Sequence, residues 1–271
     1  KISYKGDCKT GYCEVYYRKG QVMSSGEYLN KKKNGVWSYY SVDGKLLSKE
    51  TYKEGLKEGE ETIWDTKGNV LEKINYKKGK KNGENYKYLY AEGFQTYTYV
   101  DDVKEGDYRN YYSDKQPRIE GQYSSGKKDG VWTYTDQAKR KMRVQVWKAD
   151  VLISDKIILR LRDKERGIAA EEIVCLYPLG KQTCVVLSNG EKLTCFNSYD
   201  QILDCTDGNY LIRLNEKNNL YVNPNAVKSV KENTDGQAEV ITEPKTDIKI
   251  IADKEGLKAV HSVLNKGKIG K

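Results

Sequence analysis

The chain contains one histidine, two phenylalanines and no apolar run that approaches membrane-spanning length. Each scarcity removes a class of function. A Cys–His nucleophile, a serine triad or a His-based metal site would rest entirely on His261, which is far in sequence from the cysteines. There is no P-loop, no dinucleotide fingerprint and no H-E-x-x-H. The paired acids Glu60–Glu61, Asp101–Asp102 and Glu171–Glu172 are neighbours in sequence, so on a strand their carboxylates point to opposite faces and are poorly placed for joint acid and base work. Catalysis, a cofactor, a metal and a small-molecule substrate are therefore not expected. A bilayer-crossing helix needs about 18 or more consecutive apolar residues, and the chain has none.

What is abundant is tyrosine, 23 residues against the two phenylalanines, in a chain that is only 37% hydrophobic with a mean hydropathy of −0.83. A tyrosine lays down a flat apolar face and keeps its hydroxyl in water, so this composition suits a thin structure with half-buried side chains more than a thick dry core. The formal charge of +9 favours acidic partners such as nucleic acid, anionic lipid headgroups or acidic polysaccharide. Most lysines, however, fall in the segments NKKKN, KKGKK and SSGKKD. Their expected role is that of solvated loop tips.

Glycines at 11, 35, 59, 83, 106 and 130 are spaced by 24, 24, 24, 23 and 24 residues, which marks an internal repeat of six units. Seventeen residues after the glycine come Tyr28, Tyr52, Tyr76, Tyr123 and Trp147, with Tyr99 one position early in the shorter unit. Five residues after it come Tyr16, Tyr40, Trp64, Tyr88 and Tyr111, then Thr135. Within a unit, an aromatic strand (GVWSYY), a turn (SVDGK), a second strand (LLSKETY) and a charged turn (KEGLKE) predict one β-hairpin. A lone hairpin is marginal in water, so the units are expected to stack into an extended antiparallel array over 1–150, stabilised by neighbour contacts.

The recurrent G-x-W-x-Y-Y…D-G-K-L…Y-K-x-G, clearest at 35–59 and again in GQYSSGKKDGVWTY at 121–134, resembles the MORN repeat, in its bacterial antitoxin-component variant. The resemblance spans roughly residues 11–150 and implies a twisted hairpin array that binds or scaffolds, with no catalytic residue attached. The fourth unit departs from the pattern in length and turn. The expected partner is a protein, a glycan or a cell-envelope component, with peripheral membrane association as a further option. The two aromatic columns are the candidate binding residues: Tyr28, Tyr40, Tyr52, Trp64, Tyr76, Tyr88, Tyr111 and Tyr123. The alternative for each is that it packs on its neighbours and binds nothing.

After Trp147 the period stops. Residues 151–171 read as a junction strand and linker, and 172–271 as a small β-rich domain with a short helix at SYDQILDC and a terminal helix at KEGLKAVHSVLNKG. The fold class is thus mostly β: a hairpin array followed by a small β domain with a C-terminal helix. The stretch LIRLNEKNNLYVNPNAVKSV resembles the LytTR-type DNA-binding domain at Arg213, Val222, Asn223 and Val227. It departs in its longer spacing from Arg213 to Asn223 and in holding Asn215 where that family has a histidine. The resemblance implies a second reading, a DNA-binding regulator contacting nucleic acid through Arg213, Lys217 and Lys228.

Six cysteines complete the inventory. Hairpin turns at Leu179-Gly180 and Asn189-Gly190 would put Cys175 opposite Cys184 and Cys184 opposite Cys195. Such a row serves as small apolar residues, as one disulfide, or as part of a zinc site short of a fourth ligand. Cys8 and Cys13, in CKTGYC, are either a staple on the first turn or two free thiols. The chain opens at Lys1, and the expected location is periplasmic, outer-membrane-associated or secreted ahead of cytoplasmic.

Overall fold

The computed structural model describes residues 3–5, 9–206, 211–246 and 248–266. It divides into two compact units, one comprising 1–139 with 146–152 and the other 140–145 with 153–271. All pairings described below are antiparallel.

The first unit is the repeat array. Its strands are β1 (Ser3–Lys5), β2 (Gly11–Tyr16), β3 (Val22–Leu29), β4 (Lys32–Tyr40), β5 (Leu46–Lys53), β6 (Leu56–Lys57), β7 (Gly59–Trp64), β8 (Val70–Lys77), β9 (Lys80–Lys81) and β10 (Gly83–Tyr88). They continue as β11 (Phe94–Val100), β12 (Val103–Tyr111), β13 (Pro117–Ser124), β14 (Lys127–Thr135), and β15 (Lys141–Lys148) with β16 (Val151–Arg160), two strands that contribute residues to both units. Consecutive strands pair from β1 to β14, with β5 and β8 each pairing two segments of the following strand. In the first five units the glycine lies directly opposite the aromatic near the end of the hairpin: Gly11 opposite Tyr28, Gly35 opposite Tyr52, Gly59 opposite Tyr76, Gly83 opposite Tyr99 and Gly106 opposite Tyr123.

The charged turns are built alike. Two successive residues take positive φ at Asn30-Lys31, Glu54-Gly55, Lys78-Gly79, Asp101-Asp102, Ser125-Gly126 and Ala149-Asp150, the conformation that matches the twist of a two-residue hairpin. The second of these residues donates its backbone N–H to a carbonyl one unit back. The pairs are Lys31 to Lys9, Gly55 to Lys33, Gly79 to Lys57, Asp102 to Lys81, Gly126 to Lys104 and Asp150 to Lys128, at 2.6–2.9 Å. One backbone bond per unit therefore clips each turn to the last. In the fourth unit the opposite turn is replaced by a loop with a short 3-10 helix at Tyr90–Glu92, backed by Gly93 against the Tyr111–Ser113 backbone, where a Cβ would have no room.

The array has little conventional core. Among its described residues the fully buried large side chains are Trp37 and Trp132. Each lies flat on a glycine of the preceding strand: a Cβ on Gly26 would stand 2.5 Å from the Trp37 ring, and one on Gly121 would overlap Trp132. The unadorned backbone is what lets the indole close over the sheet.

The second unit is ordinary in comparison. β17 (Glu165–Ile168) pairs with the latter half of β16. β18 (Ile173–Leu179), β19 (Gln182–Leu187), β20 (Lys192–Cys195), β21 (Ile212–Asn215) and β22 (Leu220–Val222) form a five-stranded sheet in the order β20-β19-β18-β22-β21. A three-stranded sheet follows, β23 (Val227–Glu232), β24 (Ala238–Thr242) and β25 (Ile250–Ala252), with helices α1 (Tyr199–Asp204) and α2 (Lys254–Lys266). Alternating burial along β24 and the apolar face of α2 supply one cluster, with Leu214, Val240, Ile250 and Val260; Ile157, Leu159, Ile168, Leu176 and Ile202 belong to the other. Segment 151–171, expected as a junction, thus puts three buried side chains into this unit's core.

The cysteine expectations need correction. Both hairpins turn one residue later or tighter than the sequence suggests: Tyr177, not Cys175, is opposite Cys184, and Thr194, not Cys195, is opposite Cys184. Cys195 is opposite Thr183, so by strand alternation its thiol faces away from that of Cys184. Cys175, Cys184 and Cys195 are buried free thiols, and the buried Cys205 thiol donates to the Met142 carbonyl. The Pro178-Leu179 end of β18 and the three-residue loop at Ser188–Gly190 set these registers. Cys13 is disulfide-bonded, and Cys8 lies outside the described residues.

Candidate functional site

The two aromatic columns occupy opposite faces of the repeat sheet. Along Gly35–Tyr40, strand alternation puts Trp37 and Tyr39 on the face of Tyr52, and Tyr40 on the other. Ring contacts agree: Trp37 meets Tyr28 edge-on at 5.0 Å and Tyr39 at 6.4 Å. Tyr28, Tyr52, Tyr76 and Tyr123 hold equivalent, half-buried positions, as the repeat requires.

On that first face the rings are separated by lysines. Lys33, Lys57, Lys81, Lys104 and Lys128 stand two residues before each unit's glycine. Each is paired on one side with the preceding unit's aromatic: Tyr28, Tyr52, Tyr76, Tyr99 and Tyr123. Each sends its ammonium over the ring of its own unit: Tyr52 at 4.9 Å, Tyr76 at 4.9 Å, Tyr99 at 5.4 Å, Tyr123 at 4.8 Å and Trp147 at 4.7 Å. The result is an alternating column of ring and ammonium running through the array. Lys33 and Lys128 also cover Trp37 and Trp132, at 4.5 and 4.4 Å. A cation over an aromatic face contributes about 0.5–1 kcal/mol when exposed and about 2 when desolvated. These five lysines are half-buried, which corrects the reading of Lys33, Lys81 and Lys128 as solvated loop tips. The same residues supply the carbonyls that accept the turn bonds, so each lysine braces its unit twice.

Charge is concentrated between the second and third units. Lys57 Nζ lies 2.8 Å from Glu61 and 3.2 Å from Glu50, whose side chains are 8% and 12% exposed. Tyr52 donates its hydroxyl to Glu50 at 2.5 Å, and Lys33 donates to the Tyr39 hydroxyl at 2.5 Å. Burial by itself would raise the Glu50 carboxyl, but the hydrogen bond from Tyr52 and the Lys57 charge hold it below the usual carboxylate range. Burial pushes Lys33 down and pushes the Tyr39, Tyr52 and Tyr76 phenols far up, the last two also through neighbouring carboxylates. Burial raises Tyr97 to about 12. The phenols of Tyr39, Tyr52, Tyr76 and Tyr97 therefore stay neutral at ordinary pH.

The second face carries Tyr40, Trp64, Tyr88 and Tyr111. Each is paired with an apolar residue at the start of the next strand: Tyr40 with Leu46, Trp64 with Val70, Tyr88 with Phe94 and Tyr111 with Pro117. Phe94 stacks on Tyr111 at 4.5 Å and meets Tyr86 at 5.2 Å. Tyr90, 67% exposed at φ 55°, extends the group to Tyr88 at 5.5 Å. No ammonium is described over these rings, and Val36 and Val131 beside them are about half exposed, at 48% and 57%. Sequence reasoning found both columns but missed the lysines between the rings of one; their own 24-residue spacing was the available signal.

The residues proposed to touch DNA are dispersed. Arg213 donates to the Glu216 carbonyl at 3.1 Å and to Asn219 Oδ1 at 2.8 Å, bracing the turn after β21. Lys217 is exposed at the tip of that turn. Lys228 belongs to the other sheet and is ion-paired with Glu243 at 3.0 Å. His261 lies 3.7 Å from Glu232 at the surface.

Residues 33–54 and 57–78 match the family model of the MORN repeat variant. Both matched windows begin on a lysine of the ring-and-ammonium column. No curated protein matches the chain. Among solved structures, a Bacillus cereus chain described as the LytTr DNA-binding domain of a response regulator is similar at 15% identity, covering 40% of this chain and 95% of its own, with a TM-score of 0.34.

Proposed function

We propose that this is a non-catalytic binding or scaffold protein whose repeat array presents a tyrosine-rich surface to a protein, glycan or envelope partner. The observation that supports it best is the difference between the two faces. On one, the rings of Tyr52, Tyr76 and Tyr123 are covered by the chain's own lysines, and Tyr28 packs edge-on against Trp37. On the other, Tyr40, Trp64, Tyr88 and Tyr111 are half-buried, paired with apolar neighbours, and repeated at fixed spacing. Rigid aromatics with two side-chain torsions give contact area at small entropic cost, and a repeated row lets several weak contacts act together. The second face is therefore the contacting one, and the first face is the brace. Binding of the full chain to a glycan array and to fractionated envelope components, compared with a Tyr40→Ser, Trp64→Ser, Tyr88→Ser, Tyr111→Ser variant, tests the reading. Loss of binding with an unchanged melting midpoint supports it. Retained binding by the variant, or loss on Lys104→Gln alone, rejects it.

A further inference from the structure

The second unit contains an open cleft of about 400 Å³ lined by Tyr177, Pro178, Lys217, Asn218, Asn219, Leu220, Ile248 and Lys249. Its volume falls within the range of small-ligand sites, about 300–1,000 Å³. Among the described lining residues there is no carboxylate. The polar ones are two lysines, two asparagines and a tyrosine, and the lysines are its charged donors. Pro178, Leu220 and Ile248 provide an apolar surface beneath them.

The lysines reach the cleft from two separate sheets. Lys217 is on the turn between β21 and β22; Lys249 immediately precedes β25. The turn is fixed before any ligand arrives. Arg213 grips Glu216 and Asn219, Asn215 Oδ1 accepts the Asn218 N–H at 3.1 Å, Asp253 accepts the Glu216 N–H at 3.0 Å, and Asn219 sits at φ 45°. Arg213 thus serves to hold Lys217 and Asn218 in place. Preorganisation of this kind removes ordering costs from binding. Lys249 Nζ is 4.0 Å from Glu239, the outer limit of an ion pair, and remains largely exposed.

We infer that this cleft binds a small organic anion, with a phosphate or carboxylate head held between Lys217 and Lys249 and a planar or apolar body against Pro178, Leu220 and Ile248. Isothermal titration of the full chain with phenyl phosphate, phenylacetate, inorganic phosphate and benzyl alcohol tests it. At least one aromatic anion is expected to bind, with the preferred head distinguishing phosphate from carboxylate, and benzyl alcohol to give no heat. Inorganic phosphate, lacking the body, should bind about tenfold more weakly than phenyl phosphate. The Lys217→Gln, Lys249→Gln variant changes two exposed side chains and should weaken the aromatic anion about tenfold or more while the melting midpoint holds. Absence of binding by both aromatic anions, equal affinity in the double variant, or binding of a short DNA duplex alone would overturn the assignment.

Discussion

The repeat array and the terminal unit reach stability by different means. In the terminal unit, Leu159, Ile173, Leu176, Leu214 and Ile250 are almost completely buried, and two aliphatic clusters exclude water in the usual way. In the array, tyrosines are half-buried on a single sheet, and stability comes from what repeats: an ammonium over the first-face rings from Tyr52 to Trp147, a backbone bond from each turn to the preceding lysine, and two indoles closed over glycine. Such contacts link each unit to its neighbours and little beyond. A sheet without a second layer can hold together if each exposed ring receives a cover, and here the cover is a lysine stem and its charge.

Five substitutions or titrations sharpen this contrast. The largest effect should come from Leu176→Ala, which leaves a cavity in the terminal unit and costs about 2–5 kcal/mol. Hydrogen exchange should locate the loss there and leave the array's protection largely intact. Gly121→Ala forces Trp132 off the sheet and should cost about 1–3 kcal/mol as an overpacked site, now with the loss confined to the array. Uniform loss across both units in either variant would contradict their independence.

Lys104→Met removes the charge over Tyr97 and Tyr123 while retaining most of the stem. A loss of about 0.5–2 kcal/mol is expected by denaturant titration, and Lys104→Arg should recover most of it. A swap of Lys127, exposed at the start of β14, should stay within about 0.5 kcal/mol.

The pH dependence has a definite sign. Because burial raises Tyr97 to about 12, the folded array holds that proton more tightly than the unfolded chain, whose phenols titrate near 10. This contribution is complete below about pH 10 and is lost as pH rises toward 12. Phenolate absorbance should lag in the folded protein, and Tyr97→Phe should reduce the alkaline loss of stability. The smallest signal is chemical. In the native state the four buried thiols, with Cys175 pushed up to about 12 by burial, should resist a thiol reagent until denaturant is added, whereas mild reductant should alter the array alone, through Cys13.

The sequence carried the array a long way. Glycine spacing located the units, two-residue turns located the hairpins, and the aromatic columns at five and seventeen residues fell on equivalent sites, because a regular period in sequence becomes a regular lattice when every unit has the same length. It carried the terminal unit less far. Cys175, Cys184 and Cys195 were aligned by assuming turns at the best dipeptides, yet the chain pairs in another register. A shift of this size leaves the strands in place while changing every cross-strand neighbour. The partnership of Lys57 with Glu50, Glu61 and Tyr76 was likewise illegible, since those residues come from three strands.

Local sequence determined what repeats: strand, turn, handedness of the turn and which side chain shares a face with which. Those follow from steric limits on the backbone and from side-chain alternation, both of which act over a few residues. Only the tertiary structure decided which rings are capped and which are bare, and that Lys217 and Lys249 line one cleft. Such matters depend on the approach of side chains from separate strands, where an ångström or a one-residue register shift selects the partner.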